Sequence, residues 1–416
     1  MSRPWWGSRW RAAARLALLP LAARAAAQER PRTLPAAGEA LLGAARIAAL
    51  PAAERDAWLR YLETSRRNRE RDRAAMDAEL RAAKREGWTP APAGPDFVVE
   101  KHMNDAWFRG EDARRTADAI VSFQTPTGGW SKRVQFGRPR LPGENWASEG
   151  DWSWIGTLDN GATTEEMRFL ARVIRVHGDP RYRDSFLRGL DYLLLSQFPN
   201  GCWPQVYPLV GSYHDAVTYN DDAMVHALQL LRSVARGEYR FVPEEGRHRA
   251  ASAMERGIAC VLASQVMVGG RRTVWGAQHD PLTLAPVQAR AYEHAALSGR
   301  ESAAILDFLM RSEAPRPAVV EAVHAAAAWF RQTAIHGYSY EPRGALAARE
   351  GAGPLWARFY EIGTNRPIFS DRDGVIRYDL REIGEERRRG YMWYSDEPAS
   401  TLRRYDAWAR RHPAAG

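Results

Sequence analysis

Apolar residues recur at helical spacing through most of the chain. Phe186, Leu187, Leu190, Leu193 and Leu194 form one set, and Ala223, Met224, Ala227, Leu228 and Leu231 a second. Val319, Val320, Val323, Ala327 and Phe330 form a third. Residues three and four apart share one face of a helix, so each set predicts an amphipathic helix with one buried stripe. Runs that alternate apolar and polar residues, as half-buried strands do, are scarce. Pro, Gly, Trp and Tyr crowd the connections between the helical stretches. The pattern predicts a mostly α protein.

Three of the helical stretches end in one phrase. QTPTGGW occupies 124–130, QFPNGCW occupies 197–203, and a looser version runs from Gln265 through Gly269 and Gly270 to Trp275. Measured at the Gln, the copies lie 73 and 68 residues apart. A period of this size, with helix before and after, is the signature of repeated helical hairpins. Such hairpins are expected to close into an α/α toroid. After each phrase comes a polar cluster: Asp159, Asn160 and Gly161; then Asn220, Asp221 and Asp222; then Gln288, Ala289 and Arg290. The third repeat is thus expected to offer Arg290 where the first two offer acids.

Two readings of the first two clusters compete. Asn and Asp are favoured helix caps, acids suit a first helical turn, and Thr163 with Glu166 spells a capping box. Alternatively, equivalent positions in a ring of hairpins point at one common mouth. Asp159, Asn160 and Asp221 would then supply converging hard oxygens, which suit Ca²⁺. Trp130 and Trp203 carry the same ambiguity, as wedges at the repeat junctions or as platforms for sugar faces.

The rest of the composition narrows the field. A chain of 416 residues, 45 % hydrophobic and 26 % charged, can bury a large core. The formal net charge of +9 rests almost wholly on Arg, since Lys occurs only at 84, 101 and 132. That balance suits an anionic partner, but no run of basic residues or nucleic-acid module is present, which argues against nucleic acid. Arg3, Arg9, Arg11 and Arg15 precede an apolar stretch over 16–23, and Ala25 and Ala27 suit cleavage after Ala27. We therefore expect residues 1–27 to be an export signal, and the protein to be periplasmic or secreted. No later stretch has 18 uninterrupted apolar residues, so no membrane span is expected. Residues 28–100 read as an N-terminal helical segment that ends in a linker or lid at Pro90, Pro92 and Pro95, and 101–416 as the toroid itself. Two cysteines, Cys202 and Cys260, make no disulfide framework. A monomer is expected.

Certain stretches are more specific. FQTPTGGWSK (123–132), TLDNGATT (157–164), CWPQ (202–205), YNDDAM (219–224) and WGAQHDPLTLAPVQARAYE (275–293) occur in this order. WARFY (356–360), PIFSDRDG (367–374) and ERRRGYMWY (386–394) come after them. Together they resemble the pectate lyases of polysaccharide lyase family 10, over about residues 117–395. The departures are Cys202, where the parallel phrase has Gly129, and the insertion between Gly270 and Trp275. The resemblance implies an α/α toroid that cleaves polygalacturonate by calcium-dependent β-elimination. It implies that Asp159, Asn160 and Asp221 lie at the calcium and substrate site, and that Arg290 is the catalytic base. Arg358 and Arg372 would bind substrate carboxylates, with Lys132 assisting.

These residue types suit that chemistry. Removal of the C5 proton of a galacturonate pushes charge onto the adjacent carboxylate, which Ca²⁺ and guanidinium groups neutralise. Arg grips a carboxylate with two parallel donors. Because arginine's ordinary pKa exceeds about 12, an arginine base predicts an alkaline optimum. An ion pair of Arg290 with Glu293, three residues on, is the structural alternative. Two other functions fit the same residues. A glycoside hydrolase would use Asp159 with Asp221 or Asp222 as paired carboxylates, and a non-catalytic uronan-binding protein would keep the cationic cleft without turnover.

Overall fold

Eight of the long helices alternate between two rows. In the computed structural model the first row is α2 (Glu111–Ser122), α4 (Pro180–Ser196), α6 (Glu244–Ser264) and α8 (Pro317–Gln332). The second row is α3 (Thr164–His177), α5 (Ala223–Ala235), α7 (Gly299–Met310) and α9 (Glu397–Ala409). Neighbours pack within each row and between rows in chain order, which is the α/α toroid that the repeats predicted. The structure describes residues 40–149, 156–341 and 345–414, and the expected export signal at 1–27 lies outside them. Among the described residues no helix is long and apolar enough to cross a membrane.

The repeated phrase is the hinge of each hairpin. In each of its three copies the Gln amide donates two hydrogen bonds. Gln124 Nε2 reaches the carbonyls of Gly128 and Ser185, Gln197 Nε2 those of Gly201 and Ala253, and Gln265 Nε2 those of Thr273 and Ala322. One bond closes the turn and the other ties it to the next first-row helix, so the phrase itself builds the repeat interface. Glycine is required in the turn because the next helix passes directly over it. Gly128 and Gly201 have φ of +108° and +94°, and a Cβ there would lie 2.5 and 2.3 Å from the carbonyl oxygens of Arg188 and Arg256.

Each Trp is a wedge. Trp130, Trp203 and Trp275 are fully buried, and each indole N–H donates to a carbonyl near the end of the preceding helix: Ile120, Leu193 and Val261. That settles their ambiguity in favour of packing. The same wedge occurs a fourth time at Trp356, bonded to Phe330 O, where the sequence carries no Gln phrase to announce it. The looser third copy is explained by a two-residue hairpin turn. Met267–Val268 pairs with Arg271–Arg272 across Gly269 and Gly270, both at positive φ. The second departure also has a physical reason. Cys202 is disulfide-bonded to Cys260 of α6, with Cα atoms 5.5 Å apart, whereas a Cβ on Gly129 would strike the Tyr192 ring of α4. The two phrases meet the same part of the next helix, through different side chains.

The N-terminal segment contributes α1 (Ala52–Ala82), which lies across the first two phrases. Trp58, Tyr61, Ser65, Asn68, Asp72 and Met76, three and four apart, are its buried stripe. Tyr61 donates to Ser196 O, Asn68 to Tyr207 Oη, and Asp72 accepts from Thr127 Oγ1. Past α1, the 90–100 segment runs to the mouth of the toroid, where Val99 N donates to Glu165 Oε2.

Candidate active site

The site is built from the chain segment just after each wedge. The Trp carbonyl accepts the backbone N–H of Thr157, Thr218 or Ser298 in the three successive repeats. This common anchor sets the register in which the chain enters its second-row helix. Two residues past Thr157 and Thr218 begin the turns Asp159–Gly161 and Asn220–Asp222, and these turns pack against each other. Asn160 and Asp221 occupy equivalent places and share one backbone conformation, φ 51° with ψ 32° and 34°. The left-handed region costs most side chains about 1–2 kcal/mol but is readily reached by Asn and Asp, which explains the residue choice at both.

Helix capping is not their role. Neither turn makes a side-chain cap bond, nor does Asp222 at the start of α5. The threonine half of the capping box expected of Thr163 and Glu166 does not form. Thr163, at φ 66°, turns its hydroxyl back to the Thr157 carbonyl and the Trp130 N–H, since the wedge needs those bonds more than the helix needs a cap.

Both turns project into a field of positive charge. Asp159 is buried; its Oδ2 lies 2.6 Å from Lys132 Nζ, and its Oδ1 accepts from Gln205 at 2.9 Å. Asn160 donates its amide to Asp96 of the 90–100 segment at 3.0 Å. Asp221 faces Arg300 at 3.3 Å and Arg358 at 3.5 Å, and accepts from the Asn220 amide at 2.6 Å. Burial pushes the Asp221 carboxyl above its ordinary range against the pull of the Arg358 and Arg300 charges. Burial carries Asp222 up to about 7.

Arg358 is the most enclosed cation here, only 6 % exposed. Its Nη2 donates to Glu301 Oε1 at 2.6 Å and Asn220 Oδ1 at 3.0 Å, and its guanidinium lies 4.5 Å from the Tyr391 ring. Its Nε is buried with no acceptor. Burial works to lower the pKa of Arg358, but the Glu301 carboxylate outweighs it and holds the charge firmly in place. Glu301, fully buried, is in turn held below the ordinary carboxylate range: burial opposes its charge, and Arg358 and Arg300 overcome that.

The third repeat departs from expectation. Past its anchor at Ser298 the acid that enters the site is Glu301, on the first turn of α7, where Ser302 bonds the wedge backbone as Thr163 does in the first repeat. Arg290 belongs to the connection between Trp275 and Ser298, and its spacing after the phrase misled because that connection is long. Arg290 forms a two-point ion pair with Glu293, through Nε at 2.7 Å and through Nη2. Tyr391 Oη donates to the same carboxylate at 2.7 Å. Tyr391 joins Arg290 to the site, since its hydroxyl holds Glu293 and its ring lies 4.5 Å from the Arg358 guanidinium; Tyr213 stacks on His214 nearby. Burial pushes the His214 imidazole down to about 4, which keeps it neutral. Arg372 is two-thirds exposed and shares Glu386 with Arg387, whose guanidinium lies 4.6 Å from the ring of Tyr292, two residues from Arg290.

The fold thus gathers Lys132, Asp159, Asn160, Asp221 and Arg358 at one mouth, links Arg290 to it through Glu293 and Tyr391, and sets Arg372 beside the loop that carries Arg290. It adds Asp96, Gln205, Arg300 and Glu301, which sequence reasoning missed. Only Glu301 had a legible signal, in its place three residues after a Thr/Ser anchor.

A hard cation would need more than the acids alone. Among the described residues no three His, Cys, Asp or Glu side chains gather closely enough to hold a metal by themselves. Yet Asp96 Oδ1, Gln205 Oε1 and Asp222 Oδ1 are buried acceptor oxygens with no hydrogen-bond donor. Asp96 and Gln205 are tied to the first turn through Asn160 and Asp159, and carboxylate and amide oxygens without donors fit Ca²⁺ there, with an anionic ligand completing the shell.

Residues 124–402 match the family model for pectic acid lyase. The chain is similar to the family 10 polysaccharide lyase from Cellvibrio cellulosa, at 34 % identity and a TM-score of 0.65 over 76 % of this chain and 99 % of that one. An Asp-to-Ala mutant of that lyase in complex with trigalacturonic acid matches equally, with 34 % identity, a TM-score of 0.65 and 76 % and 100 % of the two chains covered. None of the curated proteins compared matches the chain.

Proposed function

The chain belongs to the pectic acid lyase family, and we propose that it cleaves 1,4-linked galacturonan by Ca²⁺-assisted β-elimination at the mouth formed by its first three repeats. The observation that carries the reading is Arg358. Arg358 is a buried guanidinium held charged by Glu301 at the mouth, with one donor unmatched by any protein acceptor, and a uronate carboxylate is the anion this family acts on. The complex of the Cellvibrio lyase mutant with trigalacturonic acid supports the same ligand class here.

In this reading Arg358 takes the carboxylate of the reacting uronate, with Asn220 and Glu301 fixing the guanidinium. Asp159, Asn160 and Asp221 are the residues that would hold Ca²⁺, which supplies charge neutralisation for the carboxylate as it becomes enolate-like. Lys132 orients Asp159 through their 2.6 Å ion pair, and Arg372 meets carboxylates further along the polymer. Neutral Arg290 takes the C5 proton. The electron pair of that C–H bond becomes the C4–C5 double bond, the C4–O bond breaks, and the departing oxygen takes a proton from solvent. A base that must first lose the proton of a guanidinium works best at alkaline pH.

The disulfide between Cys202 and Cys260 supports export, since such bonds persist in oxidising compartments. With the proposed leader at 1–27, it points to action outside the cytoplasm.

Absorbance on polygalacturonate at alkaline pH tests the proposal, because elimination leaves an unsaturated, ultraviolet-absorbing uronide and hydrolysis does not. The expected result is a rise in absorbance that chelator abolishes, that Ca²⁺ restores, and that Arg290→Ala loses. New reducing ends without absorbance would replace the lyase by a paired-carboxylate hydrolase.

A further inference from the structure

Arg290 is held by a carboxylate that elimination does not obviously need. We infer that Glu293 is a positioning residue of the lyase, fixing the Arg290 guanidinium through Nε and Nη2 so that Nη1 is the nitrogen presented to the substrate. The inference rests on the reading of Arg290 as the base.

The geometry is a purpose-built clamp. Residues 289–293 form a tight loop in which Glu293 N donates to Arg290 O and Ala289 N to Glu293 O. The loop folds the Glu293 side chain back onto Arg290 with both carboxylate oxygens engaged. Glu293 is 5 % exposed, so its oxygens are little screened by water and its charge acts at close to full strength. Tyr391 Oη, from the C-terminal loops, braces the same carboxylate. An exposed pair three residues apart would contribute almost nothing; here the carboxylate is buried, although the Arg290 side chain keeps 39 % of its surface exposed, and that carboxylate is tied across 98 residues of chain. With Nε and Nη2 occupied, rotation of the guanidinium is blocked and one edge remains for chemistry.

The clamp has a charge consequence as well as a geometric one. The groups that face Arg290 are Glu293 and Tyr292 from its own loop, Tyr391 from the C-terminal loops, and Tyr213 and His214 from the turn beside Asp159. Arg358 is within range of Glu293, and Arg387 lies over Tyr292 on the far side. Burial works to lower the Arg290 pKa, and Glu293 more than reverses it. The pair therefore delays formation of the neutral base as pH rises. In exchange, it stabilises the guanidinium that forms when the C5 proton arrives, which makes the base stronger once it exists.

Charge and reach are separable by substitution. Glu293→Gln keeps the length of the clamp and removes its charge. The rising limb of the pH–rate profile should move to lower pH by about one unit or more, so that the fraction of plateau rate reached at pH 7 rises about tenfold. Glu293→Asp keeps the charge and loses the reach; kcat should fall with KM and the limb unchanged. If Glu293→Gln does not fold, Tyr391→Phe carries the test. It strips one donor from Glu293, strengthens the pair with Arg290, and should move the limb to higher pH. A Glu293→Gln limb at the wild-type pH, or a Tyr391→Phe limb at lower pH, overturns the inference. Arg290→Lys separates the two levels: wild-type kcat and profile in that variant would remove Arg290 as the base. An inactive Arg290→Lys together with an unmoved Glu293→Gln limb would sink the clamp alone.

Discussion

One nitrogen of Arg358 touches Glu301 and Asn220 at once, while the buried Nε is left without an acceptor. Only a planar guanidinium divides its donors in this way. An ammonium is a single point of charge that would settle on Glu301 and leave nothing for substrate. Arg358→Lys is therefore expected to lower kcat/KM on polygalacturonate about a hundredfold, roughly 3 kcal/mol of transition-state stabilisation, with thermal stability largely kept. Steady-state kinetics beside a melting curve check it, and a loss of stability as large as the loss of rate would make Arg358 a structural residue. At this scale the sequence was informative where one residue type answers one backbone need. Asn160 and Asp221 align in sequence and share the left-handed conformation that Asn and Asp tolerate. It was silent on Asp96, whose carboxylate meets the Asn160 amide from 64 residues away, because no local pattern encodes such a contact.

The repeated phrase shows how much an element can reveal of itself. Gln, Gly and Trp recur because each does one thing in each hinge: the Gln bonds the turn to the next helix, the Gly lets that helix pass, the Trp fills the junction. Gln197→Ala would strand the buried carbonyls of Gly201 and Ala253 and remove the acceptor of Arg256. Two lost buried bonds should cost about 2–4 kcal/mol, measured by denaturant unfolding; a change below about 0.5 kcal/mol would show that the Gln does not hold the repeats together. The fourth hinge at Trp356 escaped the sequence pattern because Thr333 closes that helix in place of a Gln, through a bond to Trp329 O. The third polar cluster was misplaced for a related reason. Periodicity fixes where helices stand, while the connection between wedge and next helix varies in length, so counting forward from Trp275 lands on Arg290 and not on Glu301.

Across the whole molecule, α1 binds the first two repeats together, and one of its contacts is pH-sensitive. Asp72 is fully buried, bonded to Thr127, and pushed by burial up to about 7. In the unfolded chain an Asp ionises near about 4. The folded state therefore binds this proton more tightly, so its stabilising contribution is complete below about pH 4 and is lost as pH rises toward 7. Asp72→Asn should stabilise the fold at pH 8 by on the order of 2 kcal/mol, seen as a raised melting temperature, and by much less at pH 4. Equal effects at the two pH values would mean that Asp72 is ionised in the fold. Such a residue is invisible as special in sequence, because its environment is assembled from α1 and the first phrase.

By itself the sequence determined the helical hairpins, their period, the toroid, and the family. Those arise from short-range spacing: apolar residues three and four apart, and a hinge whose parts lie within a dozen positions. The tertiary structure decided which charges meet. It set Asp96 and Lys132 beside the first turn, Arg300, Arg358 and Glu301 beside the second, and Arg290 in the grip of Glu293 and Tyr391, with Arg372 beside the loop that carries Arg290. Electrostatic partners are chosen by proximity in space, and a ring of hairpins brings together side chains that the chain keeps far apart.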